Sequence, residues 1–384
     1  MGNHKRIALV ISLFLICISP VHAQDLVALE RELGKVGFEQ VNILPERRNN
    51  EEILFRIGLE HRSMNNPLDI ILLANFICKK HGIDAPGITL FRKGQVIHES
   101  RVQVDGKIVT QNLSDTFTRD FNRSFSLKKY RFNTYLTPDL KVRFGNFINP
   151  LQIKANLIWG SEVVLSRGLS VFSGLSIPLV NDLDNQELAF TIAPTYLEYF
   201  NQLINGHYLQ ISAGTFFNNR YGLDYQYKYF DTNKKWSLGL RYAYSGFYFF
   251  ASNSIYFENF DSQLILLDFE YSFPKQRLSA LLQVGQYLNH DQGVRVEFYK
   301  QYRNIELGFF SAFTKSGSNA GFKIMVPLIP NRILRNDHFE LRTDEAFRWE
   351  YSYSNEGLVS GGFKAGTLLS DRLRRYNNNF FNYY

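Results

Sequence analysis

The 384 residues carry a formal charge of +7, 34 Phe and 22 Tyr against 3 Met and 3 Trp, and two cysteines, Cys17 and Cys78. With Cys17 inside a leader, Cys78 stands alone, which excludes a disulfide-stapled secreted scaffold. The positive excess falls to about +5 once Lys5 and Arg6 leave with the leader, and it forms no long basic run, so no nucleic-acid partner is expected.

The first expectation is a signal peptide over residues 1–23. His4, Lys5 and Arg6 precede an apolar run from Ile7 to Ile18, and Val21-His22-Ala23 forms a small-residue cleavage site before Gln24. Ile16 directly before Cys17 argues against a lipoprotein site. No later segment approaches ~18 consecutive apolar residues, so no membrane helix is expected.

Residues 24–104 read as a small α/β domain. Leu26, Leu29, Leu33 and Val36 recur at helical spacing, closed by Gly34 and Gly37. Val41–Leu44 and Ile53–Glu60 are strand candidates. Asn66-Pro67 supplies an N-cap and a first-turn proline for a helix through Ile77, ended by Lys79-Lys80-His81-Gly82. Ile88–Phe91 and Val96–Val102 then read as a hairpin. Residues 105–139 are polar with scattered aromatics and serve as a linker, as an entry segment to the β region after them, or as a cover over its mouth.

From 140 to 329 the strand signal is nearly continuous. Candidate strands start at Leu140, Leu151, Leu169, Leu188, His207, Tyr221, Trp236, Phe247, Gln263, Leu278, Val294, Ile305 and Ala320. The clearest alternation lies between His207 and Tyr244. Tyr221, Leu223, Tyr225, Tyr227 and Tyr229 alternate with Gly222, Asp224, Gln226 and Lys228, so each set occupies one face of a strand. Charged residues recur mid-strand on the face opposite the apolar one: Lys154, Asp224, Lys228, Arg241, Asp268, Glu270, Arg295, Glu297 and Lys323. A soluble sandwich would expose them to bulk water, whereas a membrane barrel would turn them into a wet lumen and its apolar rows to lipid. With the leader added, the favoured fold is an antiparallel transmembrane β-barrel of about 12 strands (range 10–14), preceded by the small α/β periplasmic domain. Residues 330–384 are a C-terminal strand or tail ending in aromatics, Phe380 to Tyr384.

Signals for catalysis are poor. No Gly-x-Ser-x-Gly elbow, phosphate-binding glycine loop or His-Glu-x-x-His pair occurs, and the histidines lack metal-ligand spacing. Asp268 and Glu270 point the same way on one strand, roughly 7 Å apart, within reach of a glycosidase pair. A salt-bridge ladder with Arg241 or Arg295 explains them more simply. No enzyme activity, catalytic residue, metal or cofactor is expected.

Several stretches resemble the YjbH/GfcD-like family of exported proteins tied to exopolysaccharide and group 4 capsule production. They are Leu29–Val41, Gly58–Arg62 with Asn66-Pro67, Gly87–Gly94, Gly285–Gly293, Ile305–Phe310, Gly321–Leu328 and Phe347-Arg348-Trp349-Glu350-Tyr351. Members typically carry a further barrel-like region ahead of the α/β domain, so this chain resembles a shortened, single-barrel form. The resemblance implies an outer-membrane protein that assists exopolysaccharide or capsule export and surface assembly. Its partners would be outer-membrane lipid, the exopolysaccharide chain, and periplasmic or outer-membrane export components bound through residues 24–104. A soluble periplasmic or surface all-β glycan-binding protein is the alternative.

Overall fold

A computed structural model describes residues 20–47, 53–62, 64, 66–111, 131–144, 150–184, 187–251, 254–329, 333–336, 339–344, 346–353 and 363–377. Most of the expected leader (1–19), residues 112–130 of the polar stretch, and the terminal aromatics (378–384) lie outside them. The chain is mainly β, with one small sheet and one large mixed sheet.

The first sheet belongs to the N-terminal region. Its elements are α1 (Pro20–Lys35), β1 (Phe38–Arg47), β2 (Ile53–His61), α2 (Pro67–Lys80), β3 (Gly87–Arg92), β4 (Gln95–Val102) and β5 (Ile108–Thr110). Helix α1 runs through the expected cleavage point at Ala23. Asn66 accepts the amide of Leu68 through Oδ1 at 3.1 Å and Pro67 opens the helix, so α2 starts where the sequence placed it. That helix is the crossover that lets β3 run parallel to β2; the other pairs are antiparallel. Leu29, Leu33, Ile57, Leu59, Ile71, Ala74, Ile88 and Ile97 are buried between helices and sheet.

The second sheet has seventeen strands. They are β6 (Phe132–Phe144), β7 (Leu151–Ser166), β8 (Leu169–Asn181), β9 (Thr191–Ile192), β10 (Tyr196–Ile204), β11 (His207–Phe216), β12 (Arg220–Phe230), β13 (Trp236–Ala251), β14 (Ser254–Phe257), β15 (Ser262–Phe273), β16 (Leu278–Gln286), β17 (Gln292–Tyr302), β18 (Ile305–Thr314), β19 (Gly317–Val326), β20 (Leu334–Arg335), β21 (Phe339–Thr343) and β22 (Phe347–Tyr353). A short helix, α3 (Leu369–Arg374), comes after β22. Three expectations are corrected here. The strand count among the described residues exceeds 10–14 because β9, β14, β20 and β21 are short additions. Phe247 continues β13 instead of starting a strand. The sheet is also not wholly antiparallel, because β21 returns beside β6 in parallel. The stretch expected to be a linker already supplies the first residues of β6, from Phe132.

Ladders run from β22 to β19, through β18, β17, β16, β15, β13, β12, β11 and β10, then to β8, β7, β6 and β21. The β6–β21 ladder stops at Leu136↔Thr343 for a chemical reason. The amide of Asp344 still donates to the Leu136 carbonyl at 3.1 Å. In parallel register the next donor back to Asp344 is residue 138, and Pro138 has no N–H. The Asp344 carbonyl accepts the amide of Leu328 instead, at 3.3 Å. Beyond that point β22 is laddered to β19 and runs beside β6, with the rings of Phe144 and Tyr351 5.1 Å apart.

Candidate functional site

Burial follows the alternation in the sequence, and charge occupies the concealed face. Along β12, Gly222, Asp224, Gln226 and Lys228 are buried, whereas Leu223 is half exposed and the tyrosines between them are partly exposed. Along β15, Asp268 and Glu270 are buried while Ile265, Leu267 and Phe269 are exposed, Leu267 to 63%. Leu238, Leu240, Leu282, Val284, Phe298, Phe309 and Phe313 extend the exposed apolar face over neighbouring strands. A water-soluble protein arranges these faces the other way round.

Register brings the concealed residues into rows. One row crosses the sheet as Lys228, Gly239, Asp268, Gln283, Arg295, Ala312 and Asn319. Small residues beside large ones make space for this packing: a Cβ on Gly239 would lie 2.1 Å from the Asp268 carboxylate, and one on Gly160 2.4 Å from the Tyr135 ring.

Eight of the nine residues expected to face a lumen form three ion-pair groups. Asp224 accepts from Arg241 Nε at 2.8 Å and from Gln226 Nε2 at 2.5 Å. Lys228 Nζ donates to Asp268 Oδ1 at 2.7 Å, to Glu270 Oε2 at 3.3 Å and to Ser370 Oγ at 3.0 Å. Glu297 is held by Arg295 Nε at 2.5 Å and Lys323 Nζ at 2.8 Å, and both cations also reach Glu350. The strand cation that meets Asp268 and Glu270 is therefore Lys228, not Arg241 or Arg295, because Arg241 is taken by Asp224 on the neighbouring strand and Arg295 by Glu297 on its own. Lys154 stands apart from the three groups, paired with Asp184 at 2.8 Å.

The interior also contains a segment that the strand pattern did not announce. Residues 363–377, with α3 at their centre, are packed against the concealed face of the large sheet. Arg374 bonds Glu270 of β15, Glu306 of β18 at 2.9 Å and Asp371 at 3.1 Å, and lies 3.7 Å over the Tyr299 ring. Arg372 reaches Glu198 of β10 at 3.0 Å, and Asp371 pairs with Arg348 of β22. The Leu369 amide donates to Gln226 Oε1 at 2.7 Å, while Gln210 Nε2 donates to the Thr367 carbonyl at 2.9 Å. Strands from β10 round to β22 thus grip one short segment. Leu369, Leu373 and Tyr376 continue the apolar core of the N-terminal region through Phe200, Tyr208 and Phe230.

A second ion-pair network joins the N-terminal region to the large sheet. Arg62 pairs with Glu39 at 2.8 Å and with Glu162 at 3.0 Å; Lys93 bridges Glu162 and Glu198. Arg335 of β20 donates to the carbonyls of Gly34, Gly37 and Phe38. Burial pushes the Glu39 carboxyl up to about 8 against the pull of Arg62. Burial also holds the His98 imidazole down at about 3, although it meets the backbone of Tyr376.

Beside α3 a cavity of about 460 Å³ remains, lined by Lys228, Arg241, Asp268, Arg295, Glu297 and Lys323 among others. Its border includes Pro138–Lys141 of β6 and Arg348–Glu350 of β22, just beyond the end of the β6–β21 ladder. The volume lies within the ~300–1,000 Å³ typical of small-ligand sites.

A family model described as YjbH, exopolysaccharide biosynthesis protein YbjH, matches residues 91–324, from the end of β3 into β19. No curated protein and no solved structure matches the chain.

Proposed function

Because the chain belongs to the YjbH family of exopolysaccharide biosynthesis proteins, we propose that it is an outer-membrane β-barrel assisting export or surface assembly of an exopolysaccharide, without catalysing a reaction. The observation that carries the membrane part is the inversion of the large sheet: exposed Leu, Ile, Val and Phe outside, and buried ion pairs within. Closure between β6 and β22 belongs to the same proposal, supported by their adjacency and by the Phe144–Tyr351 contact. Backbone groups at that seam need partners in hydrocarbon. The α/β domain caps one end in the periplasm and offers residues 24–104 to export components. A soluble glycan-binding protein would turn the apolar rows inward, and no observation favours that arrangement.

In this reading the described conformation is a resting one, since residues 363–377 fill the interior. Cell fractionation with gel mobility before and after heating tests it. The expected result is an outer-membrane fraction whose mobility shifts on heating; a detergent-free soluble protein of fixed mobility overturns the barrel. Unchanged surface polysaccharide in a deletion strain overturns the export role.

A further inference from the structure

Most charges around the 460 Å³ cavity already have partners. Asp268, Glu297, Glu350 and Asp371 are each paired with a cation. Asp139, which accepts from Asn156 at 3.4 Å, and Lys141 lie on the β6 side and offset each other in charge. What remains is unequal. Arg348 spends one guanidinium nitrogen on Asp371, and its Nη2 is buried without a hydrogen-bond partner. Among the described residues Lys364 makes no ion pair; its ammonium lies 4.4 Å from the Phe217 ring. Two neutral groups are also unsatisfied: the hydroxyl of Tyr287, 1% exposed, and Oδ1 of Asn319, 7% exposed. All four residues line the cavity.

A buried polar atom without a partner costs about 1–3 kcal/mol, so three such atoms around one cavity, with the Lys364 ammonium beside them, point to something that satisfies them. Water could meet Tyr287 and Asn319, but it brings no counter-ion to Lys364, whose nearest carboxylates, Asp139, Asp344 and Glu350, act on it from beyond ion-pair distance. The spare capacity is cationic on one side, with a hydroxyl and an amide oxygen on the other. A molecule bearing one carboxylate and several hydroxyls matches it.

We infer that this cavity is a binding site for a carboxylate-bearing saccharide. Arg348 and Lys364 receive the carboxylate, Asn319 Oδ1 accepts a sugar hydroxyl, and the Tyr287 hydroxyl bonds a second. The cavity borders both β6 and β22, so the end of the β6–β21 ladder lies at its edge. The inference rests on the exopolysaccharide reading and narrows it to acidic sugars.

Calorimetry of the full chain in detergent micelles, titrated with a trimer of galacturonic acid and with neutral maltotriose, tests the assignment. The acidic trimer is expected to bind at least tenfold tighter than the neutral one. Lys364→Gln should weaken it about tenfold, the scale of one charge-assisted hydrogen bond. Asn319→Ala should weaken both trimers severalfold, and wild-type heat-shift behaviour in each variant shows that folding is preserved. Equal affinity for the two trimers, no binding of either, or unchanged affinity in both variants overturns the inference. So does displacement by inorganic phosphate at equal concentration, which marks a simple anion site. A barrel that fractionates correctly but binds no trimer refutes the site and leaves the membrane proposal standing; binding by a soluble protein does the reverse.

Discussion

Replacing Arg374 with alanine removes the cation that three buried carboxylates share. Arg374 is 2% exposed and bonds Glu270, Glu306 and Asp371. Breaking a buried ion pair from one side costs about 3–5 kcal/mol because the remaining charge has no compensation. The lower end applies, since Glu270 keeps Lys228 at 3.3 Å and Asp371 keeps Arg348. Glu306 has no second cation within ion-pair distance among the described residues. About 3 kcal/mol corresponds to roughly a hundredfold rise in local opening, at ~1.4 kcal/mol per decade. Hydrogen exchange of the detergent-solubilised protein reads this directly. Amides of Leu369, Arg372 and Tyr376 are hydrogen-bonded to Gln226, Leu368 and Leu373, so they start protected. Exchange in residues 363–377 should accelerate by about two decades while strands β11 to β18 keep their protection. If Arg374→Ala changes exchange there by less than about threefold, the segment is held by its apolar contacts and the ion-pair account is wrong.

Two further outcomes separate the faces and the domains. Leu267→Arg places a charge amid Leu240 and Val284, its exposed register neighbours, and should cost ~2–4 kcal/mol in urea unfolding from lipid vesicles; a change within ~0.5 kcal/mol means that face meets water. His98 is neutral in the fold and titrates near 3 because of burial, while the unfolded chain takes up that proton near 6.5, so its contribution is lost as pH falls through that window at up to ~1.4 kcal/mol per unit. Between pH 6.5 and 5, above the ordinary carboxylate range, His98→Gln should therefore flatten the loss of stability, and identical slopes for both proteins would refute the assignment.

Elements with local signatures were legible in the sequence. The Asn66-Pro67 start of α2, the β3–β4 hairpin and the two faces of β12 depend on residues close in the chain, and the structure places them as expected. The ion-pair groups were legible as a set of residues but not as pairs. Which arginine meets which carboxylate is fixed by register across strands, and register cannot be read from one strand. Residues 363–377 were missed for a similar reason. Leu369-Ser370-Asp371-Arg372-Leu373-Arg374 is a short charged helix that, taken locally, suits a solvated surface. Its burial comes from partners 68 to 174 positions away, such as Glu306 and Glu198. The aromatic approach to Tyr384 drew attention to a terminal strand, whereas the described part of the tail supplies β22 and then turns inward.

The same strand links the seam to the interior. Pro138 ends the β6–β21 ladder, and among the described residues β22 is laddered to β19 while running beside β6. On β22, Arg348 anchors Asp371 of α3, and Glu350 joins Arg295 and Lys323 across the cavity. The Arg348–Asp371 pair therefore ties residues 363–377 and β22 to each other. In the proposed site a carboxylate on Arg348 Nη2 would share the guanidinium that holds Asp371. Binding in the proposed site and retention of residues 363–377 would thus be coupled through one side chain, and with Nη2 taking the ligand the Asp371 pair stays in place.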